Sequence, residues 1–203
     1  MRKAGFYLLL IFTVFFSTVQ CAKHVSVEPV IDPTLYGRLA VLPFETQSVF
    51  STIGYQIADE IVVELIEKAP EFKIVERSRL DALLLERNIE SEGLSTGEPT
   101  LEAARLLGVD AIITGSVSVS VEDISPAPEH GERRASGIAL IRLIDADDGR
   151  VIWARRIKGD YSALTYLYGD VHRSQTDHDI VQEVVQEIAR EAAKYFYHHS
   201  ERR

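Results

Sequence analysis

The sequence has almost no cysteine, because Cys21 is the only one among its 203 residues. A single thiol can neither close a disulfide within the chain nor supply the several thiolates of a structural zinc site. The sequence also lacks the phosphate-binding loop, the dinucleotide-binding glycine pattern, the zinc-protease helix motif and the nucleophile elbow. We therefore predict no enzyme activity, and we assign no catalytic residue, metal site, cofactor or small-molecule substrate.

Positive charge is also scarce, because 22 Lys and Arg residues stand against 31 Asp and Glu residues, a formal net charge of −9. Contact with phosphates needs clustered Lys and Arg, so this balance argues against nucleic acid as a partner. Apolar residues make up 46% of the chain and charged residues 26%. These fractions are typical of a globular domain that buries one core.

The first twenty residues have the pattern of an export signal. Arg2 and Lys3 are followed by an almost wholly apolar stretch, residues 5–16, and then by the more polar residues 17–20. A basic start, a short apolar region and a polar exit predict a cleaved signal peptide over residues 1–20. The alternative is an uncleaved membrane anchor, because residues 4–22 carry no charge and approach the roughly 20 residues that span a bilayer.

Cys21 directly follows this segment, which is a poor position for a core residue. Residues 18–21, Thr-Val-Gln-Cys, resemble a bacterial lipobox, although Thr18 and Gln20 are atypical. The resemblance implies that Cys21 is the lipidation site, carrying acyl chains such as palmitate, and that Ala22 directs the protein to the outer membrane. Two or three acyl chains give a stable anchor. Cleavage before Cys21 removes Arg2 and Lys3, which takes the net charge from −9 to −11.

Residues 21–36 are predicted to be a short lipidated tether, because they contain two prolines and no helical periodicity. The domain is predicted over residues 37–203. Its apolar patterns give the order β-α-β-α-α-β-β-β-α, which predicts a single α/β domain with a mixed β-sheet flanked by helices. We expect a polar loop over residues 124–135 and an irregular segment over residues 159–177.

Local signals mark several element ends and turns. Helix caps are predicted at Ser51 or Thr52, at Ser78, at Gly108 and at Asp177 or Asp179. The acidic stretch 145–149 superficially resembles a calcium loop, but its spacing favours a hairpin turn. Trp153 is expected in the core.

One segment is rich in His and Asp, and it includes His172 and His178. Capping aspartates and exposed histidines at the start of a helix explain it more simply than a metal site does. A hydrolase built around His172, His178 and Asp179 stays open as an alternative.

Residues 39–44, 57–59, 72–80 and 107–117, with the late hairpin of residues 143–153, resemble the CsgG-like family of envelope lipoproteins. That family includes the curli secretion channel and the LpoB-type activators of peptidoglycan synthases. The resemblance implies a periplasmic α/β domain, similar to the anticodon-binding fold, that works by protein–protein contact without enzyme activity.

The sequence departs from both named branches of this family. The pore-forming branch inserts two long membrane-spanning hairpins, whereas residues 125–134 and 159–177 here are polar or too short. A lipoprotein that reaches across the periplasm to a synthase needs a long tether, and this tether is short.

The leading hypothesis is therefore a non-enzymatic assembly or regulatory module on the periplasmic face of the outer membrane. The alternatives are a secretion-channel subunit and a synthase activator. Expected partners are envelope proteins or further copies of the chain, with the membrane contacted through the N-terminal lipid. Candidate contact surfaces are the helix face with Asp59 and Glu60, the strand face of residues 116–120, and the C-terminal helix.

Overall fold

A computed structural model describes residues 24–46, 48–86, 97–126, 130–166 and 176–202. The chain divides into two compact units, of which the larger is Pro29–Tyr197. The described part of the smaller unit is an antiparallel pair of strands, β1 (His24–Val27) and β8 (His199–Arg202). Within the described ranges, no helix is long and apolar enough to cross a membrane.

The larger unit is built on a six-stranded mixed sheet. Its strands are β2 (Arg38–Val41), β3 (Glu45–Thr46), β4 (Lys73–Val75), β5 (Ala111–Pro126), β6 (His130–Asp145) and β7 (Val151–Tyr166). The order across the sheet is β4-β2-β5-β6-β7, and β3 pairs with β5. The pairs β2–β4, β2–β5 and β3–β5 are parallel, whereas β5, β6 and β7 form an antiparallel meander.

Four helices lie against this sheet in the described part of the chain: α1 (Ile53–Lys68), α2 (Arg77–Glu86), α3 (Glu98–Leu106) and α4 (Asp177–Ala193). Strand side chains alternate between the two faces. Val41 and Ile113 contribute to a core cluster with α1 and α4. Leu42 and Ile112, which point the other way, belong to a second cluster with α2 and α3. The helices therefore cover opposite faces of the sheet in two pairs.

The prediction of a single α/β domain with a mixed sheet is confirmed, and the nine predicted elements occur in the predicted order, with three unpredicted strands in addition, β1, β3 and β8. The C-cap of α3 is Leu107, one residue before the predicted Gly108, and Gly108 follows it with a φ of 65° that ends the helix. Trp153 is in the core at 8% exposure. The acidic stretch is a turn, in which the carboxylate of Asp145 accepts the N–H of Asp147.

Parts of two expected irregular segments are strands instead. β5 and β6 stay paired at residues 125–126 and 131–135, inside the expected loop of residues 124–135, and β7 extends to Tyr166, inside the expected irregular segment of residues 159–177. Polar composition led to the wrong prediction of a loop, because backbone hydrogen bonds pair two strands whatever their side chains are. Arg133 also pairs with Asp123 on the neighbouring strand at 2.8 Å, which stabilises the polar end of the hairpin.

Two predicted N-caps were misplaced. Ser78 lies inside α2, which begins at Arg77. The N-cap of α4 is Thr176, and Asp179 serves as the reciprocal member of a capping box. Thr52 does occupy the N-cap position of α1, although its side chain makes no capping hydrogen bond.

Candidate functional site

Several residues that the sequence singled out lie outside the described part of the chain. These are the lipidation candidate Cys21 and His172 of the His/Asp-rich segment. Of that segment, His178 is exposed in the first turn of α4, beside the capping box. Within the described ranges, no group of three His, Cys, Asp or Glu residues is placed to hold a metal ion.

Two of the three candidate contact surfaces are largely occupied by contacts within the domain. On α1, Asp59 pairs with Arg77 at 3.3 Å, and Glu60 accepts a hydrogen bond from the Gln186 amide at 3.3 Å. Helix α4 buries eight residues of its apolar stripe, from Ile180 to Ala193. The exposed side chains of α4 are mainly polar, whereas α1 also exposes the apolar side chains of Tyr55, Val63 and Ile66.

The third candidate, the strand face of residues 116–120, belongs to a wider surface that no described helix covers. Register places side chains from successive strands in rows across it. The first row is Glu45, Ser116, Leu140 and Arg156. The second row is Ser118, Ile138 and Lys158, and the third row is Ser120, Ser136 and Asp160. We call these three rows the open face.

The open face is concave and has an exposed apolar strip along β6. The first and second rows line a cavity of about 590 Å³, and the second and third rows line a neighbouring cavity of about 280 Å³. Ile138 is 46% exposed and Leu140 is 37% exposed. An exposed apolar strip with a polar surround is typical of a site that binds another molecule.

The open face exists because the helix layer on this side of the sheet ends early. Helices α2 and α3 cover Ile112 and Ile144, which belong to the same face of β5 and β6. One row further along, Thr114 is still buried at 5% exposure. Beyond Thr114 no described helix or strand covers this face, so the side chains from Ser116 onwards are more exposed.

The sequence predicted only part of this surface. It identified the serines of β5 as a wet strand face, but it missed Ile138, Leu140, Arg156 and Lys158. A signal was present, because residues 138–141 form an unbroken apolar run. Such runs are typical of strands covered on both faces, yet only one face of β6 is covered here.

The chemistry of the open face suits protein contact. It offers hydroxyls on one side, aliphatic groups in the centre, and the cations Arg156 and Lys158 on the other side. Hydroxyls and cations donate hydrogen bonds, and buried aliphatic area supplies the driving force. The described residues that line it include no His or Cys that would serve as a general base or a thiol nucleophile for the serines.

Comparison with known proteins gives a family match over most of the chain. The profile of the family described as "Curli production assembly/transport component CsgG" matches residues 16–197. No curated protein sequence matches at a significant level.

Solved structures give similarities at low identity. The LpoB C-terminal domain from Escherichia coli is 16% identical, with 63% of this chain and 86% of that chain covered and a TM-score of 0.46. The PelC dodecamer from Paraburkholderia phytofirmans is 10% identical, with 86% and 95% covered and a TM-score of 0.44. A lipoprotein from Neisseria meningitidis is 12% identical, with 78% and 99% covered and a TM-score of 0.45.

Proposed function

The chain belongs to the CsgG family, and from that premise we propose that it is a non-enzymatic lipoprotein that holds other proteins in a cell-envelope assembly. Family membership supports the coarse description, an assembly module of the envelope. The finer description has three parts: the absence of catalysis, a lipid anchor at Cys21 on the periplasmic face of the outer membrane, and contact through the open face.

The open face carries the proposal of protein contact. It combines an exposed aliphatic strip, Ile138 and Leu140, with hydroxyls and cations on either side. A partner that covers the strip gains about 25 cal/mol for each Å² of apolar surface removed from water. The polar flanks then fix its position, as they do at the rim of protein interfaces.

The proposed anchor is tested by Cys21→Ser in the full-length chain. Loss of the thiol removes the acyl chains that the proposal places in the membrane. Labelling with an alkyne analogue of palmitate should disappear in parallel. Persistent labelling of the variant, or no labelling of the unchanged chain, would contradict lipid attachment at Cys21.

The proposed contact is tested by Leu140→Glu, with Val63→Glu as the matched control. Leu140 lies on the open face, whereas Val63 is a similarly exposed apolar residue, 48% exposed, on α1. We expect full-length Leu140→Glu, extracted in mild detergent, to lose proteins that co-purify with the unchanged chain, and Val63→Glu to retain them. Equal recovery with both variants would contradict the role of this face.

The identity of the co-purified material also separates the alternatives. A large assembly of this chain alone favours a channel-like subunit, whereas recovery of a peptidoglycan synthase favours an activator.

A further inference from the structure

Three cations lie in successive rows on the open side of the sheet. Register places Thr114, Arg142 and Ala154 in the row between the covered end and the open face. Arg156 and Lys158 follow on β7, in the first and second rows of the open face. Two residues along a strand span about 6.8 Å and neighbouring strands lie about 4.8 Å apart, so successive cations are about 7 to 8 Å apart at their Cα atoms. We call these three cations the basic strip.

The basic strip has no acidic partner within the described ranges. None of its three cations takes part in an ion pair there. Other arginines in the described part of the chain do pair with an acid, namely Arg77, Arg105, Arg133, Arg150 and Arg190. The Nε of Arg142 is buried and has no hydrogen-bond partner among the described residues. A buried donor without an acceptor is unfavourable, so a ligand that supplies an acceptor would stabilise this position.

The acidic side chains of the open face lie at its margins. Glu45 belongs to the first row, but three strand spacings, about 14 Å, separate it from Arg156. Asp160 follows Lys158 along β7 in the third row, where the basic strip ends. A ligand that lies along the basic strip from the covered end therefore meets three cations before it meets an acid.

We propose that the open face binds an extended segment of its partner in which acidic and aliphatic side chains alternate; this inference rests on the proposed function, in which the open face is a protein-binding surface. An extended chain sends successive side chains to opposite sides, with a repeat of about 6.8 Å. The same repeat separates Arg156 from Lys158 on β7, and Leu140 from Ile138 on β6. A segment that lies between these two strands turns its carboxylates to the cations and its aliphatic groups to the apolar strip.

Both kinds of side chain in the segment contribute to binding. A carboxylate accepts two parallel hydrogen bonds from a guanidinium, and such charge-assisted bonds are stronger than neutral ones. The acidic side chain nearest the covered end lies next to Arg142, whose Nε lacks an acceptor. The aliphatic side chains remove Ile138 and Leu140 from water, which supplies the driving force.

The shape of the open face favours a single extended chain over a flat surface. Helices α2 and α3 cover Ile112 and Ile144 at one end, and a helix layer rises about 10 Å above a sheet. A bilayer would touch this layer before it reached the recessed rows. The cavity of the first and second rows, about 590 Å³, has the volume of a typical ligand pocket. An extended segment of about five residues is long enough to pass all three cations.

A labelled peptide and the full-length protein in mild detergent test the proposal. The fluorescent peptide Glu-Val-Glu-Val-Glu is mixed with the unchanged chain, with Arg156→Gln or with Lys158→Gln, and its anisotropy is measured as the protein concentration rises. We expect each substitution to weaken binding several-fold. Peptides with Lys in place of Glu, or with Ser in place of Val, should also bind several-fold more weakly, because each lacks one of the two kinds of side chain.

Arg155→Gln is the matched control, because Arg155 is exposed on the same strand but faces the opposite side of the sheet. Its guanidinium lies over the ring of Tyr195, 5.8 Å from the ring centroid. The substitution removes the same charge from the chain, so we expect unchanged binding of the peptide. Equal weakening by Arg155→Gln and Arg156→Gln, or no binding of the peptide by the unchanged chain, would overturn the proposal.

An anionic lipid is the competing ligand, and acetylation of Lys158 distinguishes it from a protein segment. A bound carboxylate or phosphate shields the amine of Lys158 from an amine-reactive reagent, and mass spectrometry measures the modified fraction. We expect protection by the peptide and none by phosphatidylglycerol added to the detergent micelles, with the exposed Lys73 of β4 as the reference. Protection by phosphatidylglycerol but not by the peptide would assign the basic strip to a lipid headgroup and overturn the proposal.

The Leu140→Glu comparison separates failure of this inference from failure of the proposed function. If Leu140→Glu loses co-purified proteins while the double variant of Arg156→Gln and Lys158→Gln retains them, the open face binds protein without an acidic segment, and only this inference is removed. If Leu140→Glu and Val63→Glu both retain them, the proposed function itself fails. Loss from Leu140→Glu and from the double variant alike is the result that both proposals predict.

Discussion

At the scale of single residues, two glycines set how closely α4 approaches the sheet. Gly137 and Gly159 are paired across β6 and β7 beneath the helix. A Cβ at Gly159 would lie 3.0 Å from the backbone oxygen of Val184 and 2.9 Å from Ile188. The missing side chains therefore allow direct contact between the helix and the strands.

Gly159→Val should consequently destabilise the fold. The added side chain must push α4 away from the sheet, and overpacking of this kind costs about 1 to 3 kcal/mol. Urea unfolding followed by circular dichroism measures the change. Ser118→Val, a strand substitution on the open face, is the control and should stay within about 0.5 kcal/mol. Equal effects of the two substitutions would contradict the close approach of α4.

Tyr197 gives a prediction for alkaline pH. Burial of the ring, and next the charge of Glu64, raises the pKa of Tyr197 above its usual value near 10. The folded state thus favours the neutral phenol, and this contribution to stability is complete below pH 10 and is lost as pH rises through the raised pKa. We expect Tm to fall more steeply above pH 10 in the unchanged chain than in Tyr197→Phe. Parallel curves would show that Tyr197 does not titrate differently in the folded state.

At the scale of secondary-structure elements, α4 depends on how it begins. The Thr176 hydroxyl accepts the Asp179 N–H at 3.3 Å, and the Asp179 carboxylate accepts the Thr176 N–H at 2.8 Å. The preceding strands are linked to the same turn, because Arg133 pairs with both Asp123 and Asp177. The start of α4 is therefore fixed to the polar end of the β5–β6 hairpin.

Thr176→Ala should lower the free energy of unfolding by about 1 kcal/mol, the usual cost of losing an N-cap side chain. Gln182→Ala, an exposed position further along α4, is the control and should change stability by less than about 0.5 kcal/mol. Chemical denaturation of both variants measures the difference. If the two variants were equally stable, the capping box would not support the helix.

The elements that could be predicted from the sequence are those with a strong apolar period. Sequence spacing predicts four such features: the apolar stripes of α1 and α4, the strand β2 and the turn before β7. In each of them the spacing of apolar or turn-forming residues fits one kind of element. The strand ends near residues 124–135 did not, because backbone pairing leaves no apolar signature there. The serines of the open face could be predicted, because they alternate along the single strand β5. The residues of β6 and β7 beside them could not, because their positions depend on the register between strands that are distant in sequence.

At the scale of the whole molecule, charge is distributed unevenly. The chain carries a net charge of −9, yet Arg156 and Lys158 lie together on the open face. Helices α1 and α4 pack on the opposite face of the sheet, and among the described helices α2 and α3 cover one end of the open side. Lipidation of Cys21 would hold this asymmetric domain at a membrane and leave the open face as its contact surface.

The central claim is that the open face is in contact with protein in the cell, and photo-crosslinking tests it most directly. A photoreactive amino acid replaces Leu140 in the full-length chain, and Val63 in the control, and living cells are irradiated before extraction. The account predicts discrete protein adducts from position 140, either with a second copy or with another envelope protein, and few from position 63. Equal labelling from both positions, or no adduct from position 140, would contradict it.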